Sequence, residues 1–390
     1  MPNKNGRLIA AVASVAVAAV AVGAALAYRQ GPQNAAADAA PLSSSPSATS
    51  PATQATSPAL ATPSSIAAPS AGPAKITLAI SKLAQGREPQ VPYLIGRQIR
   101  GGSGSDVVVP GKGSVITLGR LDGNTLVVVH DPEATSDTTE LLRLDPAGAV
   151  RRTPGVSSLV TSSDQRAAAY AAAQLSSLGE AKKGGTVYSE TGAGVQTLKL
   201  PNVWNLQVLA YTGGKVYYRA ADQDTGPWRL FSWVPGSETI RMVSSVVSPT
   251  AVSADGSTAA SMGVINDDGT CSNVVRLPAG TQLFRTCEYA IDGFTPSGVT
   301  AYGGPAHRDG FCDGLVAAFD AGSGKVLHEW KGCFQEIGAE DDQHVLAVAY
   351  ATPAGQTEKV KTAIIRCTIT TGACELATPI GVDTPLVIGS

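Results

Sequence analysis

The side chains able to do chemistry in this chain are few, and they fall into two kinds. The first is thiols. Six cysteines, all after residue 270, occur as Cys271/Cys287, Cys312/Cys333 and Cys367/Cys374. Thiolates hold zinc when four ligands converge, yet no C-x-x-C spacing is present and the four histidines are scattered. Disulfides are the stronger reading, although six cysteines formally allow fifteen connectivities. The second kind is one ionisable cluster, His307-Arg308-Asp309 with Asp313. These groups could move protons or take an anion. The plainer reading, a solvated charge cluster in a polar loop, carries more weight.

The remaining candidates are thinner. His130-Asp131 ends an apolar run, where a hydrogen-bonded structural histidine is commoner than a catalytic one. Asp222-x-Asp224-x-Gly226 and Asn266-Asp267-Asp268-Gly269 have the look of calcium loops, but both lack the remaining ligands and the bidentate Glu. Trp228 and Trp233, like Trp204 and Trp330, read as packing residues rather than sugar platforms. No G-x-S-x-G elbow appears, so a serine peptidase is unsupported. Gly322-Ser323-Gly324-Lys325 fails as a phosphate loop, since Phe319 and Val326 stand where Gly and Ser/Thr are required. No dinucleotide fingerprint leads a strand into a helix. No cofactor and no metal is implied.

The elements that must position these residues announce themselves by repetition. LDGNTLVVVH, SSDQRAAAYA, TGGKVYYRA, SADGSTAASMG, TPSGVTAYGG and EDDQHVLAVAY share one turn-then-strand form. Marked at Asp122, Asp164, Gly213, Asp255, Ser297 and Asp341, they are spaced by 42, 49, 42, 42 and 44 residues. A period near 40–45 with four short strands per unit is the signature of a β-propeller. In the unit around Asp255 the strands A to D read Thr250–Ser253, Thr258–Val264, Ser272–Leu277 and Gln282–Thr286. Two pieces are left over: VPYLIG, RQIR and DVVVP between Val91 and Pro110, and TPLVIG at Thr384–Gly389. Three short strands and one more would build a blade from both chain ends and remove an exposed edge. Seven blades are expected, with six as the alternative.

This frame narrows the cysteine pairing. Each pair is centred on a C–D turn: Pro278-Ala279-Gly280, Ala321-Gly322-Ser323-Gly324 and Ile369-Thr370-Thr371-Gly372. Partners would then face each other on antiparallel strands, within disulfide reach. The B–C loops are polar and longer than the other turns in every unit, at Asp131–Thr139, Ala173–Gly185, Asp222–Pro227, Ile265–Thr270, Pro305–Phe311 and Ala351–Lys361. Loops on a rigid scaffold are where binding residues gather, so the B–C face, with His307, Arg308, Asp309 and Asp313, is the expected surface for a protein or small-molecule ligand. Solvated loops with no such role are the bland alternative.

The SADG turn entering a strand, the VPYLIG opening and the closing RCTITTGACELATP resemble bacterial exported TolB-like, WD-repeat-like propellers. The likeness spans about residues 88–390 and rests on structural turns. It implies an exported propeller with a binding function, without the Trp-Asp and Gly-His marks of true WD repeats.

Residues 8–27 form an uncharged apolar run after Lys4 and Arg7. Twenty residues at about 1.5 Å each cross about 30 Å of hydrocarbon, with the positive end kept in the cytoplasm. The rival is a signal peptide cleaved after Ala25-Leu26-Ala27. Of the 37 residues from Ala35 to Ala71, 32 are Ala, Pro, Ser or Thr, a composition that cannot bury a core. The expected order is a stub and anchor at 1–28, a linker at 29–74 and the propeller at 75–390. It places the propeller outside the cytoplasmic membrane, or free outside the cell if the signal is cleaved. A net charge of −2 and a pI near 6.1 supply no field for nucleic acid. The reading is a non-enzymatic binding module, the alternative a lyase or hydrolase with a polar site at the central channel. Full-length protein is expected to sediment with membranes. A mature N-terminus at Tyr28, read by N-terminal sequencing, would replace the anchor with a cleaved signal.

Overall fold

Two-residue turns set the first level of structure. Asp122-Gly123 and Gly213-Gly214 all take positive φ, which matches the twist of a tight hairpin. They join Leu121 to Asn124 and Thr212 to Lys215 in direct register. The SADG turn works through its side chains. Ser253 Oγ donates to Asp255 Oδ1 (2.6 Å) and accepts from the Thr258 N–H (3.0 Å), while Asp255 Oδ1 accepts from the Ser257 N–H (3.0 Å). Ser162 and Asp164 repeat this arrangement, with Gln165 at φ 57° where the other turn has Gly256 at 71°.

The computed structural model describes residues 74–130, 139–175, 181–263, 270–308, 312–351 and 359–390. The expected anchor (8–27) and all of the linker except Ala74, which begins a strand, lie outside them, as do Asp131, Asn266, Asp267, Asp268, Gly269 and Asp309. Among the described residues no helix is long and apolar enough to cross a membrane.

The described residues are all-β apart from one 3-10 turn at Ile80–Lys82. Four consecutive antiparallel meanders of four strands run over 114–154, 156–200, 204–247 and 249–286. A nine-stranded sheet follows, in which Val326–Ala339 closes one meander with its first half and opens the next with its second. The last sheet is built from both chain ends: Leu386–Ile388 pairs with Tyr93–Ile95, followed by Gln98–Arg100 and Val107–Val108. This is the composition expected from VPYLIG, RQIR, DVVVP and TPLVIG. One expectation needs correcting. The loop read at Ala173–Gly185 is mostly strand, because Ala167–Leu175 and Ala181–Thr191 extend the hairpin well into it.

Alternation places a core on both faces of each meander. In Asn124–His130, Val127 and Val129 pack with Leu94 and Ile99 of the two-ended sheet, whereas Leu126 and Val128 pack with Val156 and Leu159 of the next. In the alanine-rich strand, Ala168 and Tyr170 face backward while Ala169 and Ala171 face forward. The same alternation continues to Tyr93, Leu346 and Ile388, which join the last meander to the two-ended sheet. The product is a ring of face-packed antiparallel sheets, a β-propeller.

An unread feature precedes the first sheet. Ala74–Thr77 pairs in parallel with 328–331, and Gln85 bridges Leu376. This segment straps the outer edges of the last two meanders. It is locked by Arg366, whose side chain is 2 % exposed, and Glu340, fully buried. Glu340 accepts from both Nη atoms of Arg87 (3.0 Å each), from the Gln90 N–H (2.7 Å) and from Arg366 Nε and Nη2. Arg366 also donates to the carbonyls of Arg87 (2.9 Å) and Glu88 (3.0 Å) and to Glu375 (2.7 Å).

Removing one partner of such a pair strands a buried charge. Arg366→Ala is expected to cost about 3–5 kcal/mol in denaturant unfolding, and Arg87→Ala distinctly less because Arg87 is 41 % exposed. Equal effects would mean that Glu340 does not depend on Arg366.

Candidate functional site

The first strand of each meander packs on the first strand of the next, so these strands line the axis of the ring. Six of them carry a one-residue bulge against the second strand. The register skips Ile116, Ser157, Leu209, Thr250, Asp292 and Gln335. A bulged residue leaves the ladder and is re-aimed. None of the six is buried, although their neighbours in the strands are mostly core. Thr250 Oγ1 donates to the Ile291 carbonyl (3.0 Å), tying two adjacent inner strands. Asp292 is the single ionisable side chain among the six.

Asp292 receives Arg308 from the 305–312 connection. Arg308 Nη2 donates to Asp292 Oδ2, and its Nε lies 3.5 Å from Asp313 Oδ2. Gly304 makes room, since a Cβ there would stand 3.1 Å from both Arg308 Nη2 and Asp313 Oδ2. Although part of the Asp292 side chain reaches solvent, the enclosure of its carboxyl raises its pKa, against the pull of Arg308. Burial likewise raises that of Asp313, with Arg308 pulling down and the charge of Asp292 pushing up. Tyr302 is pushed up to about 12 by burial and then by Asp292. It also lines a cavity of about 320 Å³ with Thr117, Thr161, Phe294, Ile337 and Ile388. On the last inner strand Glu336 is raised to about 7 by burial, although its Oε2 accepts the Ile388 N–H (3.1 Å).

Of the expected loop cluster, the structure brings Arg308 and Asp313 together. His307 is exposed on the same connection. Sequence reasoning missed Asp292, Tyr302 and Glu336. The signal available for Asp292 was an acid inside YAIDGF, a strand whose Tyr289, Ile291, Gly293 and Phe294 are buried.

The three expected hairpin pairs are the three disulfides: Cys271–Cys287, Cys312–Cys333 and Cys367–Cys374. The first two close the B–C connections on the Arg308 side, and the third flanks a turn at the opposite end. Trp233 and Trp330 are buried; Trp228 is half-buried under Arg219. Asp222 and Asp224 are exposed. Among the described residues, one metal-sized group occurs, Glu340, Asp341 and His344. Both oxygens of Glu340 are already held by guanidinium groups, and His344 Nδ1 lies 2.9 Å from Asp341, so this is an ion-pair network.

No family model matches the sequence, and no curated protein is similar to it. Solved structures similar to it include the β-propeller domain of the Trilobed protease from Pyrococcus furiosus, at 10% identity, TM-score 0.44, covering 69% of this chain and 98% of that one. An oligogalacturonate lyase from Vibrio parahaemolyticus is similar at 10% identity and TM-score 0.43, covering 69% and 88%. A prolyl endopeptidase is similar at 14% identity and TM-score 0.47, covering 78% of this chain and 49% of its own.

A carboxyl whose pKa is raised on folding is protonated in the folded state where the unfolded chain is already ionised. Its contribution therefore falls as pH rises from the ordinary glutamate value through about 7, then levels. Glu336→Gln should leave the melting temperature near that of wild type at pH 4 and raise it at pH 8. An equal difference at both pH values would remove burial as the cause.

Proposed function

We propose that this chain is a membrane-anchored, seven-bladed propeller displayed outside the cytoplasm, binding a protein or small-molecule ligand on the face that carries Arg308. The blade count draws support from the innermost strands. These are Leu386–Ile388, Ser114–Leu121, Val156–Thr161, Trp204–Thr212, Pro249–Val252, Tyr289–Phe294 and the second half of Val326–Ala339, each packed against the next. Three disulfides and no free cysteine suit an oxidising space. The apolar run 8–27 is the proposed anchor, and likeness to TolB-like exported propellers points the same way.

The observation that carries the binding reading is the Asp292–Arg308–Asp313 bridge between an inner strand and a loop. One guanidinium faces two carboxylates, so the bridge retains acceptor capacity. That favours a ligand offering hydrogen-bond donors or a cation. Cys312–Cys333 fixes the end of the loop that presents it. The lyase or hydrolase alternative would use Glu336, whose pKa near 7 suits acid–base work.

Full-length protein with a cross-linker in intact cells tests this. Arg308→Ala and Asp292→Asn should lose the captured partner, while Lys215→Ala, at the opposite end of the ring, should keep it. Capture lost only in the Lys215 variant would move the binding face and refute the assignment.

A further inference from the structure

A second charged group has no use in the site above. Arg219 lies in Lys215–Ala221, on the face packed against the 249–286 sheet, beside Tyr217 and across from Leu230. Its guanidinium carbon lies 3.7 Å from the ring centroid of Trp228, which enters from the 222–228 connection. Nη1 donates to the Pro249 carbonyl (2.9 Å) at the start of the next inner strand. These two contacts hold the plane of the guanidinium in place.

The rest of the fork is unspent. Nε is buried and has no hydrogen-bond partner, and among the described residues the one hydrogen bond of the guanidinium is that of Nη1. Nε–H and Nη2–H point along the same edge, the side-on pair that grips a carboxylate with two parallel bonds. No acidic side chain lies within ion-pair range of Arg219 among the described residues, and burial alone lowers its pKa to about 10, leaving it charged at neutral pH. Arg219 is half-buried, and its buried Nε–H without an acceptor carries a desolvation cost. The two fully buried arginines differ from it: Arg366 meets Glu340 and Glu375, whereas Arg120 donates to the Gly101 carbonyl and Thr125 and leaves its own Nη2 without a partner, but has no aromatic ring among the described residues stacked on its guanidinium.

We propose that the Nε–Nη2 edge of Arg219, backed by Trp228, is a binding site for a carboxylate-bearing ligand in the seam between the 204–247 and 249–286 sheets. A carboxylate fits better than a phosphate, because two coplanar donors and one charge match its two oxygens. The indole supplies an apolar wall for whatever carries the acid. Gln207, directly opposite Arg219 on the inner strand and half-buried, stands at the same seam. The site is separate from Arg308, which belongs to a different sheet.

The test is a titration of full-length protein, labelled with 15N-arginine, with sodium acetate and with inorganic phosphate at constant ionic strength. The probe is the Nε–Hε resonance of Arg219, assigned by its loss in Arg219→Lys. Acetate should move it to a saturable plateau, and Trp228→Phe should raise the apparent dissociation constant by about tenfold or less. Arg219→Lys keeps the charge but not the fork. It should keep the wild-type melting temperature while abolishing acetate-dependent quenching of Trp228 fluorescence. Arg308→Ala should leave the acetate response intact, so the two sites can fail independently. A linear, non-saturating shift would overturn the proposal, as would undiminished quenching in Arg219→Lys. Saturation by phosphate but not acetate would overturn the carboxylate assignment.

Discussion

Glu340 and Arg366 meet where neither side chain has appreciable access to water. Burying two such ions costs several kcal/mol each before any attraction is counted. The cost is offset only if every oxygen and N–H finds a partner. Here Glu340 accepts from five N–H donors, and three of these come from Arg87 and Gln90 of the strap that leads into the two-ended sheet. The pair therefore favours one arrangement of the chain ends. If the strap lifts, a carboxylate is left half-satisfied in the interior. Ring closure by three-residue strands such as Tyr93–Ile95 and Leu386–Ile388 offers little pairing of its own, so the ionic lock beside it matters more.

The remainder of the ring follows from that closure. Each meander has apolar residues on both faces and cannot cover either alone. With the ends joined, every face finds a partner and no meander is left with an open core. The bulges then acquire their meaning. They lift one residue out of the ladder in six of the inner strands, and the identities Ile116, Ser157, Leu209, Thr250, Asp292 and Gln335 make these positions mostly neutral with one acid. Arg308 reaches that acid from a loop whose far end is stapled by Cys312–Cys333. Structural and site chemistry are thus coupled through one connection.

The two arginines that face the candidate sites differ in their electrostatics. Arg308 is shared between two carboxylates and is exposed. Arg219 is stacked, half-buried and without a counter-charge among the described residues. A ligand meeting the first is recognised by acceptors, and one meeting the second by donors. The same scaffold can present opposite signs because each seam between sheets is lined by a different pair of neighbours.

What the sequence determined is local. Asp-Gly and Gly-Gly turns, period-two strands and a repeat near 42 residues each depend on neighbours in the chain, and they give the meanders and most of their boundaries. The cysteine pairs belong with them, because Cys367 and Cys374 are directly opposed across one hairpin. The two-ended sheet was legible too, as unmatched strands left at both termini. The tertiary structure alone decided the rest. Arg366 bonds to the Arg87 carbonyl across 279 residues, and Asp292 becomes a site residue only because a bulge turns it away from the core. Contacts between sheets have no period in the sequence. They are set by which faces meet when the ring closes, and that is a property of the whole chain.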